Sequence, residues 1–392
     1  MRMSLNAATS LPADGLAGTL VGRAWVPDDL PGPAVVVLRE SGVFDITRTV
    51  PTVAELTAAP DPVALARDAE GERLGPLEEI LANSVVDACN PERPYLLAPV
   101  DLQTLKACGV TFAASMLERV IEEQAKGDPS KAQGMRDTIV REVGANLSQV
   151  RPGSEEAQRL KEALLARGLW SQYLEVGIGP DAEVFTKAPT LSSVGTGAEI
   201  GIHPGSHWNN PEPEVVLVVD PQGRVVGATL GNDVNLRDFE GRSALLLGKA
   251  KDNNASCALG PFIRLFDETF GIEQVRRCEV SLKVEGEDGY VLRDISSMKE
   301  ISRDVLDLVG QTLNRNHQYP DGLVLFTGTL FAPVQDRDTP GLGFTHKLND
   351  VVTIAAPELG ALVNRVTFSD RAPPWTFGIS AFMRNLAARR LL

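Results

Sequence analysis

The fold is decided by residues 212–233, where two apolar segments flank a turn and carboxylates stand at the outer ends. The stretch reads Glu212-Pro213-Glu214-Val215-Val216-Leu217-Val218-Val219-Asp220-Pro221-Gln222-Gly223-Arg224-Val225-Val226-Gly227-Ala228-Thr229-Leu230-Gly231-Asn232-Asp233. Apolar segments joined by an Asp-Pro-Gln-Gly turn are typical of a β-hairpin. The hairpin would bring Asp233 back to the place where the first strand begins, close to Glu212 and Glu214.

These three acidic residues form a candidate metal site. Side chains two apart in a strand point to the same face, so Glu212 and Glu214 should lie side by side. Adjacent carboxylates repel each other unless a cation or a proton lies between them. With Asp233 they would offer the hard oxygen ligands that Mg²⁺ or Mn²⁺ prefers. The alternative is a solvated strand edge followed by an acidic turn residue, because surface carboxylates are common.

Composition limits the classes of protein. The chain has 392 residues, of which 43% are hydrophobic, and this predicts a globular protein with one or two domains. Its net charge of −14 argues against a nucleic-acid partner. No apolar stretch approaches the ~20 residues that cross a bilayer, and the start of the chain lacks the apolar core of a signal peptide. We therefore expect no membrane contact and a cytoplasmic protein.

Cysteine and histidine offer no recognisable ligand set. The four cysteines are widely spaced without a C-x-x-C pair, and we expect reduced, buried thiols. His203 and His207 precede the carboxylate pair in a loop, and they could either reach the site or belong to the surface.

The remaining patterns predict two domains. Short strands and two capped helices indicate an α+β domain over residues 1–95, and three prolines make residues 91–99 a plausible linker. Residues 96–392 would form the main domain, in which strands outnumber helices and no β-α-β alternation occurs, so we predict a mixed α+β fold built on a β-roll. Residues 251–261 lack apolar periodicity and are predicted to be a loop.

Several motifs occur in an order that resembles the fumarylacetoacetate hydrolase superfamily. They cover roughly residues 100–368 and are Phe185-Thr186-Lys187-Ala188-Pro189, Glu212-Pro213-Glu214, Leu230-Gly231-Asn232-Asp233, Arg237-Asp238, Lys251 with Leu259-Gly260-Pro261, Phe326-Thr327-Gly328-Thr329 and Leu348-Asn349-Asp350-Val351-Val352. The resemblance implies a β-roll, a Mg²⁺ or Mn²⁺ held by Glu212, Glu214 and Asp233, and a chelated oxo-acid substrate. It also implies a homo-oligomer, either a dimer or a tetramer.

The resemblance assigns further roles residue by residue. Lys251 matches a lysine that faces the substrate, and Thr329 matches a threonine that contacts the substrate carboxylate. Arg237 and Glu240 fall on positions that approach the substrate in some members. Lys187 stands in a lysine-proline motif with one residue inserted.

One departure points to a branch of the family. Hydrolytic members carry a His and a Glu three residues apart, and here Ser115 stands in place of the histidine while Glu118 is kept. The sequence around Gly109-Val110-Thr111-Phe112 is similar to that of the dehydratases of 2-keto-3-deoxy-pentonates, such as those derived from xylonate or arabinonate. That resemblance implies Glu118 as general base, Lys251 as stabiliser of the enolate, and Ser115 as either a contact of the leaving group or a helix N-cap.

Two other functions compete with the dehydratase. The first is a Mg²⁺-dependent C–C hydrolase of acylpyruvate-like β-diketo acids, which would use a metal-bound water. The second is a non-catalytic β-roll that serves as a binding or assembly module.

Overall fold

The structure is a computed structural model that describes residues 3–139, 150–331 and 334–392. The strands are β1 (Leu20–Val26), β2 (Gly32–Arg39), β3 (Gly42–Asp45), β4 (Glu72–Gly75), β5 (Tyr95–Leu97), β6 (Thr104–Gly109), β7 (Glu183–Ala188), β8 (Glu199–Ile202), β9 (Asn209–Asn210), β10 (Pro213–Val219), β11 (Val225–Asp233), β12 (Asn235–Leu236), β13 (Cys257–Leu265), β14 (Glu279–Glu285), β15 (Val291–Ser297), β16 (Leu323–Phe326), β17 (Val351–Ala356) and β18 (Gly360–Phe368). The helices are α1 (Ala7–Ser10), α2 (Val53–Ala58), α3 (Pro62–Asp68), α4 (Leu77–Asn83), α5 (Ala113–Ala125), α6 (Pro129–Ile139), α7 (Glu155–Ala166), α8 (Gln172–Ile178), α9 (Arg237–Glu240), α10 (Leu247–Lys251), α11 (Ile272–Val275), α12 (Val305–Thr312) and α13 (Ile379–Ala388).

The predicted hairpin is present at the centre of the largest sheet. β10 and β11 pair antiparallel, with Pro213 opposite Asn232 and Glu214 opposite Gly231. The turn is fixed by the Asp220 carboxylate, which accepts hydrogen bonds from the backbone N–H groups of Gln222 and Arg224 at 2.9 and 2.8 Å. The hairpin therefore delivers Asp233 to the start of β10, where its N–H donates to the Glu212 carbonyl at 3.0 Å.

Two large sheets wrap around a common core, which confirms the mixed α+β fold. The largest sheet runs β4-β3-β2-β1-β13-β11-β10-β16-β6-β7, with β5 beside β1, and only β16 and β6 in it are parallel. A second sheet runs β15-β14-β17-β18-β8. Apolar residues of both sheets form the main core cluster. No helix among the described residues is long and apolar enough to cross a membrane.

The amino-terminal strands continue the main sheet. β1 pairs antiparallel with β13, so the first four strands extend the same sheet that carries the hairpin. β5 lies within residues 91–99 and pairs with β1, which makes part of the predicted linker a strand. The boundary at residue 95 stays a prediction.

The prediction of a loop over residues 251–261 is wrong from Cys257 onward. These residues begin β13, which lies between β1 and β11 and is buried along its whole length. A strand covered on both faces has no polar side to alternate with, so its sequence shows no period of two.

Candidate active site

Three carboxylates converge at the open end of the hairpin. We call Glu212, Glu214 and Asp233 the carboxylate triad. One ligand oxygen from each lies within 4.8 Å of the others, and all three residues are buried. Pro213 separates the two glutamates, so both point to one face of β10, and the register with β11 places Asp233 beside them. The structure therefore assembles the residues that the sequence predicted as metal ligands.

Two lysines neutralise part of this charge. Lys251, at the end of α10, donates to Asp233 at 3.1 Å and also contacts Glu212. Lys187, on β7, lies 2.8 Å from the other Asp233 oxygen and is fully buried. Burial alone would raise the pKa of Asp233, but the two ammonium groups lower it. Burial likewise works against the charge of Lys251, yet the Asp233 and Glu212 carboxylates raise its pKa above the ordinary value.

Glu214 is in a different environment. Its carboxylate accepts a hydrogen bond from the Gly328 N–H at 2.6 Å. Burial and the neighbouring Asp233 and Glu212 charges raise its pKa well above the ordinary value. A buried carboxyl whose pKa is raised by neighbouring carboxylates marks a site with excess negative charge, which a divalent cation would relieve.

The donor set fits Mg²⁺ or Mn²⁺. All three side chains offer oxygen, they share one small space, and among the described residues no cysteine or histidine joins the group. Oxygen-only carboxylate sites are characteristic of these hard cations. The triad would hold such an ion, with Lys251 beside it.

An arginine that the sequence analysis missed connects the triad to α5. Arg119 contacts Glu212 at 2.5 Å, Glu122 at 2.6 Å and Glu240 at 3.0 Å. Glu122 in turn binds Arg237 at 2.6 Å. Charged helix positions usually face water, so the sequence pattern alone does not place this face of α5 inside the protein. The i, i+3 spacing of Arg119 and Glu122 was the available signal.

Glu183 is a second residue that sequence reasoning missed. It stands at the start of β7 and lines the same cavity as the triad. Its carboxylate lies over Gly109, where any Cβ would come within 2.0 Å of it. Burial and the nearby Glu240 carboxylate raise the pKa of Glu183 to about 7. Its position two residues before the Phe185-Thr186-Lys187 motif was the only sequence signal.

Glu118 and Ser115 lie on α5 but differ in their contacts. Glu118 is bound by Arg136 through two hydrogen bonds of 2.9 and 2.8 Å, and Arg237 lies at 3.2 Å. The N-cap of α5 is Phe112, so the prediction of Ser115 as an N-cap is wrong: it is the third helical residue, and its hydroxyl donates to the Phe112 carbonyl at 3.0 Å. Phe112 has extended backbone angles and the helical residues start at Ala113, so the N-cap lies before Ser115 in the chain.

Two adjoining cavities meet at this site. The triad cavity contains the carboxylate triad, Lys251, Glu183 and Glu240. The side cavity contains Glu118, Glu122, Asn210, Arg237 and Phe331. Ser115, Arg119, Glu212 and Thr329 line both. The two cavities therefore share part of their wall.

The remaining predicted residues take distinct positions. Thr329 follows the Gly328 turn that holds Glu214, and its hydroxyl accepts from the Phe331 N–H at 3.1 Å. Lys187 does not line either cavity, and its ammonium group forms an ion pair with Asp233. Neither His203, whose ring packs against Phe239, nor His207 lines the two cavities.

The β-roll and the buried carboxylate triad are the features that the resemblance to the fumarylacetoacetate hydrolase superfamily implies. Residues 175–367 match the family model described as fumarylacetoacetate hydrolase, C-terminal, and this part of the chain belongs to that family. Within the family, the chain resembles the 2-keto-3-deoxy-pentonate dehydratases.

Two curated relatives carry that resemblance. The first is 2-dehydro-3-deoxy-D-arabinonate dehydratase of Saccharolobus solfataricus, 33% identical over 47% of this chain and 58% of the relative. The second is a probable 2-keto-3-deoxyxylonate dehydratase of Haloferax volcanii, 32% identical over 50% of this chain and 63% of the relative. The match thus spans about three fifths of each relative.

Solved structures show the same fold. A 2-keto-3-deoxy-D-arabinonate dehydratase complexed with magnesium and 2,5-dioxopentanoate superposes with a TM-score of 0.57 at 20% identity, covering 89% of this chain and 99% of that one. A fumarylacetoacetate hydrolase from Exiguobacterium antarcticum gives a TM-score of 0.51 at 18% identity, with the same coverage.

Proposed function

We propose that this protein is a metal-dependent dehydratase that converts a 2-keto-3-deoxy-pentonate into 2,5-dioxopentanoate. The observation that carries the proposal is the buried carboxylate triad, which shares its cavity with Lys251 and the Glu183 carboxyl. The names of the two curated relatives and of the magnesium-bound structure support this substrate class.

The triad would hold Mg²⁺, or Mn²⁺ in its place. A cation bound there supplies Lewis acidity, which draws electrons from the substrate's 2-keto group and makes its C3 protons acidic. Thr329 borders the triad cavity, and we assign it the contact with the substrate carboxylate. Lys251 provides a fixed positive charge for the oxyanion that develops on the keto oxygen.

We assign the C3 proton to Glu183 rather than to Glu118. A general base works best when its pKa lies near the operating pH, and that of Glu183 is raised to about 7. Two guanidinium groups bind Glu118, and its carboxylate would have to give up those ion pairs to take a proton. Glu118 then serves to position Arg237 beside the substrate.

The reaction loses one water. Glu183 takes a C3 proton, the electrons form a C3–C4 double bond, and the C4–O bond breaks. The departing hydroxide receives a proton from the Glu183 carboxyl. Ser115 lines this cavity and would hold the leaving hydroxide. Proton shifts then place an enol at C4–C5, which becomes the aldehyde of 2,5-dioxopentanoate.

The rival hydrolase activity needs a group that activates water. Among the described residues, no histidine lines either cavity, and Ser115 occupies the position of the family's histidine. This favours elimination over hydrolysis.

Product analysis tests the proposal. We expect incubation with Mg²⁺ and a 2-keto-3-deoxy-pentonate to yield an aldehyde that a carbonyl reagent traps, and Asp233→Asn to abolish it. Cleavage of acylpyruvates to pyruvate and an acid, with no aldehyde from the sugar acid, would identify the hydrolase instead. Absence of both reactions together with absence of Mg²⁺ binding would indicate a non-catalytic module.

A further inference from the structure

Asn210 carries a hydrogen-bond acceptor that has no partner within the protein. The residue ends β9 and is only 2% exposed. Its side-chain N–H₂ donates to the Pro211 carbonyl at 2.8 Å, which fixes the orientation of the amide. Among residues 3–139, 150–331 and 334–392, no donor reaches its Oδ1 atom. A buried carbonyl without a partner is unfavourable, so such a group points to something that binds there.

The surroundings of Asn210 select the chemistry of that ligand. Asn210 lines the side cavity, and of the described residues in its wall most are charged and only Phe331 is apolar. The Arg119 and Arg237 guanidiniums contact the cavity's own glutamates. An alkyl chain would be poorly accommodated here, whereas a hydroxyl group can donate the hydrogen bond that Oδ1 lacks.

The reaction chemistry indicates which hydroxyl binds. Carboxylate and keto oxygens cannot donate, so the keto-acid head is excluded. The C4 oxygen leaves and must gain a proton, which an amide carbonyl cannot supply. The C5 oxygen is kept and becomes the aldehyde oxygen of the product, and as a hydroxyl in the substrate it needs only an acceptor. It also lies at the far end of the substrate from the keto-acid head, which agrees with a side cavity that shares part of its wall with the triad cavity.

We infer that Asn210 is a specificity-determining residue whose side-chain carbonyl accepts a hydrogen bond from the substrate's C5 hydroxyl, an inference that rests on the function proposed above. Asn235 faces Asn210 across the β9–β12 pair and is also buried with an unpartnered amide. This places a second polar side chain on the same face of the two-stranded ribbon.

Two ligands that cannot undergo the reaction test this. Neither 2-oxopentanoate nor 5-hydroxy-2-oxopentanoate has a C4 hydroxyl, so calorimetry in Mg²⁺ measures binding without turnover. We expect the unmodified protein to prefer the 5-hydroxy acid by about five- to tenfold, the worth of one hydrogen bond. Asn210→Leu should remove that preference and still bind 2-oxopentanoate, which also shows that the variant is folded.

Phe331→Leu is the matched control because it changes the apolar part of the same wall. It should change the affinities for both ligands by the same factor and so preserve their ratio. A preference that survives in Asn210→Leu, or its absence in the unmodified protein, would overturn the inference. Failure of the unmodified protein to bind 2-oxopentanoate at all would refute the proposed function, and the inference with it.

Discussion

At the scale of single residues, substitutions distinguish the two candidate general bases, Glu183 and Glu118. Glu183→Gln keeps the shape of the side chain but cannot accept a proton, and we expect kcat to fall by about 10²–10⁴. Glu118→Gln should mainly raise KM, because it loosens Arg136 and Arg237 and leaves the base in place. Steady-state kinetics of both variants provide the comparison. A larger loss of kcat in Glu118→Gln would return the role of base to that residue.

The pKa of Glu183 also predicts how stability depends on pH. Because burial and Glu240 raise it to about 7, the folded protein holds this proton at pH values where the unfolded chain has lost it. Stability therefore falls as pH rises from the ordinary glutamate value to about 7, and the cost is complete above that range. At pH 8 we expect Glu183→Gln to be more stable by about 1–3 kcal/mol. Denaturant unfolding at pH 5 and pH 8 should show the difference shrinking at the lower pH.

At the scale of elements, the β6–β7 pair sets the position of that carboxyl. Gly109 stands opposite Glu183, and a Cβ at Gly109 would come within 2.0 Å of the carboxylate oxygen. The end of a flexible side chain can move, so Gly109→Ala should leave the fold intact and displace Glu183 from the cavity. We expect kcat to fall nearly as far as in Glu183→Gln.

A double-variant cycle separates displacement from general damage. If Gly109→Ala acts through Glu183, adding it to Glu183→Gln should lower kcat little further. Additive losses would mean that the alanine harms the site by another route. The melting temperature of Gly109→Ala serves as the control for folding.

The elements also show what sequence can and cannot predict. The hairpin was predictable because its turn chemistry and its apolar segments agree, and the helices after Thr52 and Asp61 were predictable from caps that the structure confirms. Strand β13 was not predictable, because a strand buried on both faces does not alternate apolar and polar residues. The burial of the charged face of α5 was not predictable either, because Arg119 and Glu122 have partners that come from distant parts of the chain.

At the scale of the whole molecule, the continuous sheet predicts cooperative unfolding. β1 pairs with β13, and Arg264 on β13 contacts Asp14 at 2.5 Å. Removing the first 95 residues would expose the edge of a buried strand. We expect one calorimetric transition whose van't Hoff and calorimetric enthalpies agree. Two separate transitions would show that residues 1–95 fold as an independent domain.

Metal binding should raise the stability of the entire chain. A ligand that binds only the folded state at 100 times its Kd stabilises by about 2.7 kcal/mol, so millimolar Mg²⁺ should raise the Tm by several degrees. The net charge of −14 also attracts cations without a specific site, so NaCl at matched ionic strength is needed as the reference. Asp233→Asn removes the charge of one of the three carboxylate ligands and only one charge among 52 acidic residues, so it should abolish the Mg²⁺ shift while leaving any NaCl effect. An equal Mg²⁺ shift in Asp233→Asn would locate the bound cations outside the carboxylate triad.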